Sequence, residues 1–321
     1  MRRYGRGGRD GFGRVPDKLR EAQCRSGNQV AWLRKKPGPR IGAAQGRGWS
    51  GERRKNRDAK MTILRVENLG IAFGGLTALE AVSFEVAAGE ILAIIGPNGA
   101  GKTTLFNIVS GLYAPRHGRV WLSDEDVTSQ PPHRLARHGL SRTFQNLQVF
   151  LRMSAAENVM VGRHLHEDRN VLKHLFALPS VARQNRQTRQ KAEMLLSLVG
   201  LSEHADRTAQ NLAYGALKRL EIARAMATEP KVLLLDEPAA GCNAVETEEI
   251  DAVIQKIATR GTTVVLVEHD MRLVMKISNR IHVLDGGRTL AQGTAAQVRE
   301  NPAVIAAYLG TGRTRAEHAR T

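Results

Sequence analysis

The chain has 321 residues, 48 Lys and Arg against 31 Asp and Glu, a formal net charge of +17, and 42% hydrophobic residues. The length fits two domains or one large domain with attachments, and the hydrophobic content excludes a chain that is disordered throughout. Only two cysteines are present, which excludes a disulfide scaffold. No apolar run approaches the roughly 18 residues that a membrane-spanning helix needs, so we expect none.

Residues 1–60 hold 18 Lys and Arg against 5 Asp and Glu. Segments rich in Arg and Gly bind polyanions, so one interpretation of residues 1–60 is an arm that binds nucleic acid or a membrane surface. A targeting segment is another, although five acidic residues and two serines argue against it. We favour a third: a Gly/Arg-rich, disordered extension that is not part of the native protein, with Met61 as the true start.

From Met61 onward the pattern is that of a folded α/β domain. Thr62–Glu67 and Val82–Val86 alternate apolar and polar residues, which predicts half-buried strands. Ile91–Ile95 is a continuous apolar run, which predicts a strand covered on both faces. A glycine-rich loop follows at once, and Leu105–Leu112 is then predicted to be helical.

The glycine-rich loop between this strand and this helix has the spacing GxxxxGK[ST]. A strand, a glycine loop and a helix N-terminus together form a site where backbone N–H groups and the helix dipole hold phosphate. Lys102 would reach the β- and γ-phosphates, and the Thr103 hydroxyl would bind Mg²⁺. The residues predicted to bind phosphate are Gly96, Pro97, Asn98, Gly99, Ala100, Gly101, Lys102, Thr103 and Thr104.

Further along, Ser141–Asn146 closes a short predicted strand, and Ser154–Gly200 is predicted to be helical. The apolar stripe of that helical region is best explained by core packing. Its basic run Arg183–Lys191 lacks interleaved aromatic residues, which favours a solvated helix face over a nucleic-acid patch. His164 and His166 have no nearby Cys or acidic cluster, so we interpret them as surface residues and not as metal ligands.

A second apolar strand, Val232–Glu237, ends in two carboxylates. Buried strands of this kind place their carboxyl ends where α/β sheets bind ligands, which suits Asp236 to an Mg²⁺ shell. Glu237 follows directly and suits a general base for an attacking water. Leu217–Thr228 is a predicted helix, and Thr262–Val267 is a further strand that leads into His269.

The order and spacing of these motifs resemble the ATP-binding subunit of an ABC transporter. In that resemblance, Phe73 corresponds to the aromatic A-loop position, Gly96–Thr104 to Walker A and Gln145 to the Q-loop. Leu212–Ala216 corresponds to the signature loop, Leu235–Pro238 to Walker B, Ala240–Ala244 to the D-loop and His269 to the H-loop. It covers Met61 to about Gly310 and implies a P-loop NTPase of ABC ATPase type. Its α/β fold would have a mixed sheet core, an antiparallel β part and a small helical subdomain at about residues 150–215. Residues 311–321 would form a basic tail.

The resemblance also implies roles in binding and hydrolysing ATP with Mg²⁺. Phe73 would stack on adenine, and Gln145 would sense the γ-phosphate and help to bind Mg²⁺. His269 would hydrogen-bond the γ-phosphate beside the base Glu237. Ala213, Tyr214 and Gly215 would face ATP bound to a second subunit, because the two halves of such a site lie on different chains.

Below the superfamily level, the chain resembles the LivG-type ATPase of the high-affinity branched-chain amino acid importer. Segments that carry this resemblance include 73–79, 220–226, 237–241, 268–271 and 301–310. It implies ATP hydrolysis that powers import of leucine, isoleucine or valine at the cytoplasmic face of a bacterial plasma membrane. The implied partners are a related but distinct ATPase subunit, two membrane permease subunits and a periplasmic binding protein.

Several positions depart from the family pattern. Ala213 replaces a serine, although alanine is usual in the subfamily, and Ala216 replaces a glutamine. Cys242 and Ala244 stand in the D-loop where leucine and proline would be expected, and Asn279 replaces an aspartate. Gly215 remains, so its backbone donor is expected to face phosphate. We therefore expect a working ATPase whose signature loop is weakened.

Three alternatives stay open on the sequence alone. Related importers of urea, amides or other amino acids use very similar subunits, and their substrate contacts lie in partner proteins. A non-transport ABC protein acting on nucleic acid would usually carry two ATPase domains, whereas this chain has one phosphate loop. A binding-only subunit with a decayed site is disfavoured by intact Lys102, Asp236, Glu237 and His269.

Overall fold

The computed structural model describes residues 61–166 and 179–317. The predictions for residues 1–60 and for the last four residues of the tail lie outside this part of the chain. In chain order the elements are β1 (Thr62–Phe73), β2 (Leu76–Ala87), β3 (Ile91–Ile95), α1 (Lys102–Val109), β4 (His117–Leu122), β5 (Glu125–Asp126), α2 (Pro132–His138), β6 (Leu140–Arg142), α3 (Ala155–Gly162), α4 (Pro179–Leu198), α5 (Tyr214–Met226), β7 (Val232–Asp236), α6 (Ala244–Thr259), β8 (Thr263–Val267), α7 (Met271–Ile277), β9 (Arg280–Asp285), β10 (Arg288–Gly293), α8 (Ala295–Glu300) and α9 (Pro302–Glu317).

One sheet is antiparallel, with the strand order β2-β1-β4-β5. A turn at Gly74 and Gly75, both with positive φ, joins β1 to β2. Both strands extend beyond the predicted segments Thr62–Glu67 and Val82–Val86. The alternation breaks because β1 carries register shifts, and Asn68 within it has φ 47°.

The second sheet has the order β10-β9-β3-β8-β7-β6 and is parallel except for the β9–β10 pair. Every residue of β3, β7 and β8 is buried, as their apolar runs predict. Alternate side chains of β3 enter two separate core clusters. Ile91, Ala93 and Ile95 pack with the helices, whereas Leu92 and Ile94 pack with the antiparallel sheet and α1.

The order of the parallel strands brings distant parts of the sequence to one edge. Because β3, β8, β7 and β6 are adjacent and parallel, the segments after their carboxyl ends lie side by side. These segments are the phosphate loop, Glu268-His269, Asp236-Glu237 and the segment that begins at Thr143. The mixed sheet and the antiparallel part confirm the predicted fold.

Two helices begin earlier than the sequence predicted. α1 starts at Lys102, three residues before the predicted Leu105, and its N-cap Gly101 has φ 96°. α5 starts at Tyr214, whereas Leu217 was predicted, so part of the signature loop forms the first turn of this helix. Neither start could be predicted from apolar periodicity, because the first turns of both helices carry small or polar residues.

The region between residues 150 and 215 contains α3 and α4, with residues 167–178 between them outside the described part. A capping box of Ser154 and Glu157 begins α3. The proposed boundaries of a helical subdomain stay a prediction. No helix of the described residues has the length and apolar character needed to cross a bilayer.

One buried histidine makes the stability of this fold sensitive to pH. His282 on β9 is fully buried, its ring lies 5.2 Å from that of Phe84, and its Nε2 pairs with the Thr289 hydroxyl at 3.2 Å. Burial, with a smaller contribution from Arg280, lowers the pKa of His282 to about 4. The His282 imidazole is therefore protonated below about pH 6.5 in the unfolded chain, but only at a lower pH in the folded protein.

We expect acidification to destabilise the wild type through this residue. Because the folded pKa is depressed, the neutral imidazole contributes stability above about pH 6.5, and that contribution is lost as the pH falls towards 4. Urea unfolding of wild type and His282→Gln at pH 7 and pH 4.5 measures the effect. The stability advantage of the wild type should shrink by about 2 kcal/mol. An advantage independent of pH would contradict this assignment.

Candidate active site

The phosphate loop between β3 and α1 is tightly packed at two glycines. A Cβ atom at Gly96 would lie 2.1 Å from the Leu284 carbonyl oxygen, and one at Gly101 would lie 2.8 Å from the Ala78 carbonyl oxygen. Neither position accepts a larger residue without moving backbone. The loop is thus held by β9 and β2, and its N–H groups are presented at the start of α1.

Lys102, the first residue of α1, is folded over this loop. Its Nζ donates to the carbonyl oxygens of Gly96 at 2.8 Å and Pro97 at 3.0 Å. Burial lowers the pKa of Lys102, and the charges of Glu237 and Asp236 oppose that effect. These carboxylates favour the charged form of Lys102, and its ammonium lies beside the loop at the start of α1, a position suited to an anionic ligand.

Three predicted catalytic residues meet at one point. Glu237 accepts a hydrogen bond at Oε2 from the Gln145 amide, 3.1 Å away, and its Oε1 lies 2.7 Å from His269 Nε2. They come from the ends of β7, β6 and β8. Their meeting is therefore a consequence of strand order, which the linear sequence does not contain.

The backbone and charge of Glu237 are unusual. Its φ is 50°, in the left-handed region, and its N–H donates to the Val267 carbonyl oxygen at 2.9 Å. Such backbone strain persists only where the surroundings fix it, as they often do at functional sites. The His269 hydrogen bond, aided by Gln145 and Lys102 and opposed by burial, holds the pKa of Glu237 below its usual value. The carboxylate is ionised at neutral pH.

Asp236 has a partner that the sequence did not reveal. Arg142, the last residue of β6, donates to Asp236 Oδ2 at 2.7 Å, and both side chains are nearly buried. The same guanidinium donates to Asn107 and Ser110 on α1 and its cap. Arg142 therefore joins the Walker B strand to the helix after the phosphate loop. A charged residue at the end of a buried strand was the signal available in the sequence.

Glu268 is a second residue that sequence reasoning left without a role. Its Oε1 accepts from the Ala239 N–H at 2.9 Å, and its Oε2 accepts from the His269 N–H at 3.1 Å. Burial raises its pKa to about 7 despite these hydrogen bonds. Glu268 fixes the backbone before His269 to the segment that follows Glu237.

The signature-loop residues lie against the D-loop of the same chain. Ala213 is the N-cap of α5 and makes no side-chain cap hydrogen bond. The Gly215 N–H donates to Glu246 Oε1 at 3.0 Å, and the Asn243 N–H donates to the other oxygen of that carboxylate at 3.0 Å. A Cβ at Gly241 would lie 3.2 Å from the Tyr214 ring. The donor of Gly215, expected to face phosphate, is paired within the chain here.

Phe73, predicted to stack on adenine, ends β1 with about half of its surface exposed. Its ring meets that of Tyr113 edge to face, with centroids 5.4 Å apart. Tyr113 is also exposed, at 42% of its surface, and was not singled out from the sequence. The two rings present an aromatic surface of the kind that an adenine can cover.

Among the described residues, no hydrogen bond joins Asn98, Gly99, Thr103 or Thr104 to the cluster around Glu237. Thr103, Asn98 and Gly99 are exposed, and Thr104 is partly exposed. In residues 61–166 and 179–317, no hydrogen bond joins the signature loop to the phosphate loop. The structure thus gathers two groups of predicted site residues: one around Glu237 and Lys102, the other at the start of α5.

Comparisons with known proteins agree with this geometry. The family model described as "ABC transporter" matches residues 79–240, and the one described as "Branched-chain amino acid ATP-binding cassette transporter" matches residues 288–314. The high-affinity branched-chain amino acid transport ATP-binding protein BraF of Pseudomonas aeruginosa is 47% identical over 249 residues, which are 77% of this chain and 98% of that protein. The protein LivG of Escherichia coli, which bears the same description, is 46% identical with the same coverage.

Solved structures give the same result. A structure described as the ADP conformation of an ATP-binding cassette of an ABC transporter has a TM-score of 0.69 and 33% identity, and covers 78% of this chain and 100% of that one. A nucleotide-free cassette from an ABC transporter has a TM-score of 0.68 and 32% identity, over 77% of this chain and 99% of that one.

The fold and the site together define an ATP-binding cassette with ATPase activity. The chain belongs to the ABC transporter family, in the group of branched-chain amino acid transport ATP-binding proteins. The family and the fold expected from the sequence are confirmed.

Proposed function

We propose that this chain hydrolyses ATP to power the import of branched-chain amino acids through a membrane transporter. The observation that carries the proposal is the cluster in which Glu237 contacts Gln145 and His269 at the edge of the sheet that also holds the phosphate loop. The substrate class rests on relatives described as branched-chain amino acid transport proteins, two of them 46% and 47% identical.

Each residue of the cluster has a proposed role. The ionised Glu237 accepts the proton of the attacking water. His269 hydrogen-bonds the Glu237 carboxylate, and His269 itself faces the γ-phosphate. Lys102 and the loop N–H groups stabilise negative charge on the transferred phosphoryl group. Phe73, with Tyr113 beside it, stacks on adenine.

The oxygen donors at this edge fit Mg²⁺. A hydroxyl from Thr103, a carboxylate from Asp236 and an amide oxygen from Gln145 form the hard donor set that this ion prefers. Arg142 donates a hydrogen bond to Asp236 Oδ2, whereas Asp236 Oδ1 has no partner among the hydrogen bonds of the described residues. When bound, Mg²⁺ would neutralise charge on the phosphates, while Arg142 keeps the Asp236 carboxylate oriented.

We propose that the complete site forms between two chains. Within its own chain, Gly215 donates to Glu246 and Tyr214 lies beside Gly241, and no hydrogen bond of the described residues joins Ala213, Tyr214 or Gly215 to the phosphate loop. They would face ATP held by a second, related ATPase subunit. Two permease subunits and a periplasmic binding protein complete the proposed assembly, at the cytoplasmic face of a bacterial plasma membrane.

The proposed domain boundaries are those predicted from the sequence. Residues 61–310 form the ATPase domain with a helical subdomain at about 150–215, and 311–321 form a tail. Residues 1–60 are dispensable for transport. An importer of urea, an amide or another amino acid remains the alternative function, because the substrate contacts are expected in the partner proteins.

The test uses the assembled importer, reconstituted with the proposed permeases, second ATPase and binding protein, which we expect to be encoded beside this chain. Hydrolysis is measured with the binding protein loaded with leucine, isoleucine, valine, urea or a short amide. Stimulation by the three branched-chain amino acids alone is expected. Stimulation by urea or an amide alone would replace the proposed substrate while leaving the ATPase assignment intact.

A further inference from the structure

Helix α5 carries charged residues on a buried face. Lys218 and Glu221 are spaced by three residues and so share one side of the helix, yet they are only 2% and 4% exposed. Buried charges persist where partners satisfy them. Their partners here belong to the segment between β6 and α3, which carries Gln145.

The Glu221 carboxylate holds the backbone on both sides of Gln145. Its Oε1 accepts from the Gln148 N–H at 3.2 Å, and the Phe144 N–H donates to the same carboxylate. Lys218 acts on the residue between them, because its Nζ donates to the Gln145 carbonyl oxygen at 3.4 Å. Three backbone groups of residues 144–148 are thus hydrogen-bonded to two side chains of α5.

The ends of the segment are fixed by other elements. The Thr143 N–H donates to the Leu234 carbonyl oxygen on β7 at 2.9 Å. The Phe150 N–H donates to Asn158 on α3 at 2.8 Å. Between these anchors, Gln145 must aim its amide at Glu237 Oε2, 3.1 Å away. No strand of the described residues pairs with residues 144–148, so α5 supplies the backbone support there.

We propose that Lys218 and Glu221 are positioning residues that hold the backbone around Gln145 so that its amide stays on Glu237. The inference rests on the proposed role of Glu237 in hydrolysis. Both residues are hydrogen-bonded to the backbone around Gln145 and make no hydrogen bond to Lys102 or the phosphate loop among the described residues. Lys218 Nζ also lies 5.8 Å from the centroid of the Tyr214 ring. Their loss should therefore slow turnover and leave ATP affinity in place.

The test compares four variants in the reconstituted importer. Glu221→Leu and Lys218→Met remove the supporting groups. Glu221→Gln keeps an oxygen that accepts from a backbone N–H. Asp251→Leu is the matched control, because Asp251 is also buried at 3% exposure and paired with a lysine, Lys276 at 3.1 Å, but lies on α6 away from this segment.

We expect Glu221→Leu and Lys218→Met to lower kcat about tenfold with the KM for ATP within about twofold of wild type. Glu221→Gln should recover most of the rate. Asp251→Leu should lower the melting temperature while leaving kcat near wild type, which separates positioning from stability.

The outcomes decide between this inference and the proposed function. If Lys218→Met keeps the wild-type kcat, the inference is overturned even where Glu221→Leu fails to fold. Equal losses of kcat in the test variants and in Asp251→Leu would overturn it too, by reducing both residues to structural support. Glu237→Gln is measured alongside: near-normal turnover there would overturn the role of Glu237 instead, whatever the α5 variants do.

Discussion

Glu237→Gln is expected to bind ATP normally and to lose at least a hundredfold in hydrolysis rate. The amide has almost the shape of the carboxylate but cannot accept the proton of the attacking water, and general-base catalysis contributes roughly 10²–10⁴-fold. Binding should persist because Lys102 and the phosphate loop hold their positions through Gly96 and Pro97. Steady-state hydrolysis by the assembled importer and equilibrium binding of ATP measure the two effects.

Glu229→Gln is the matched control for this experiment. Glu229 shares the left-handed backbone of Glu237, with φ 52°, but its exposed carboxylate pairs with Arg163 at 2.9 Å. The control should hydrolyse ATP at nearly the wild-type rate. If Glu237→Gln retains more than about a tenth of that rate, Glu237 is not the base.

Lys102→Ala is expected to reduce transport about a hundredfold. Charge-assisted hydrogen bonds to phosphate are each worth roughly 1.5–3 kcal/mol, and the substitution removes the buried ammonium that supplies them. It also leaves the Gly96 and Pro97 carbonyl oxygens without their donor. Transport and hydrolysis are measured in the importer with a wild-type second ATPase.

Ala216→Gln is the comparison, because it restores the residue usual in the signature loop. Ala216 is buried in the first turns of α5 and packs with the helical core. We expect its replacement to change the rate less than about tenfold in either direction. Near-normal transport by Lys102→Ala beside a tenfold effect of Ala216→Gln would mean that the phosphate loop of this subunit is dispensable.

Strands that are buried on both faces were the easiest elements to predict. β3 appears at its predicted bounds, and β7 and β8 each differ from their predictions by one residue. The agreement is close because a fully buried strand needs an unbroken apolar run. β1 was predicted too short, since its register shifts interrupt the alternation. The starts of α1 and α5 were also missed, because the residues of their first turns are not apolar at helical spacing.

The sequence by itself determined the chemistry of the candidate site: the spacing of Gly96, Gly101 and Lys102 and the carboxylates of Asp236 and Glu237. Local backbone geometry imposes such patterns, so they are readable in a line of residues. Only the tertiary structure decided which groups meet. Arg142 reaches Asp236 across 94 positions, and Lys218 and Glu221 reach the backbone around Gln145 across 73. Strand order and helix packing create these pairs, because they bring together groups whose separation along the chain follows no local period.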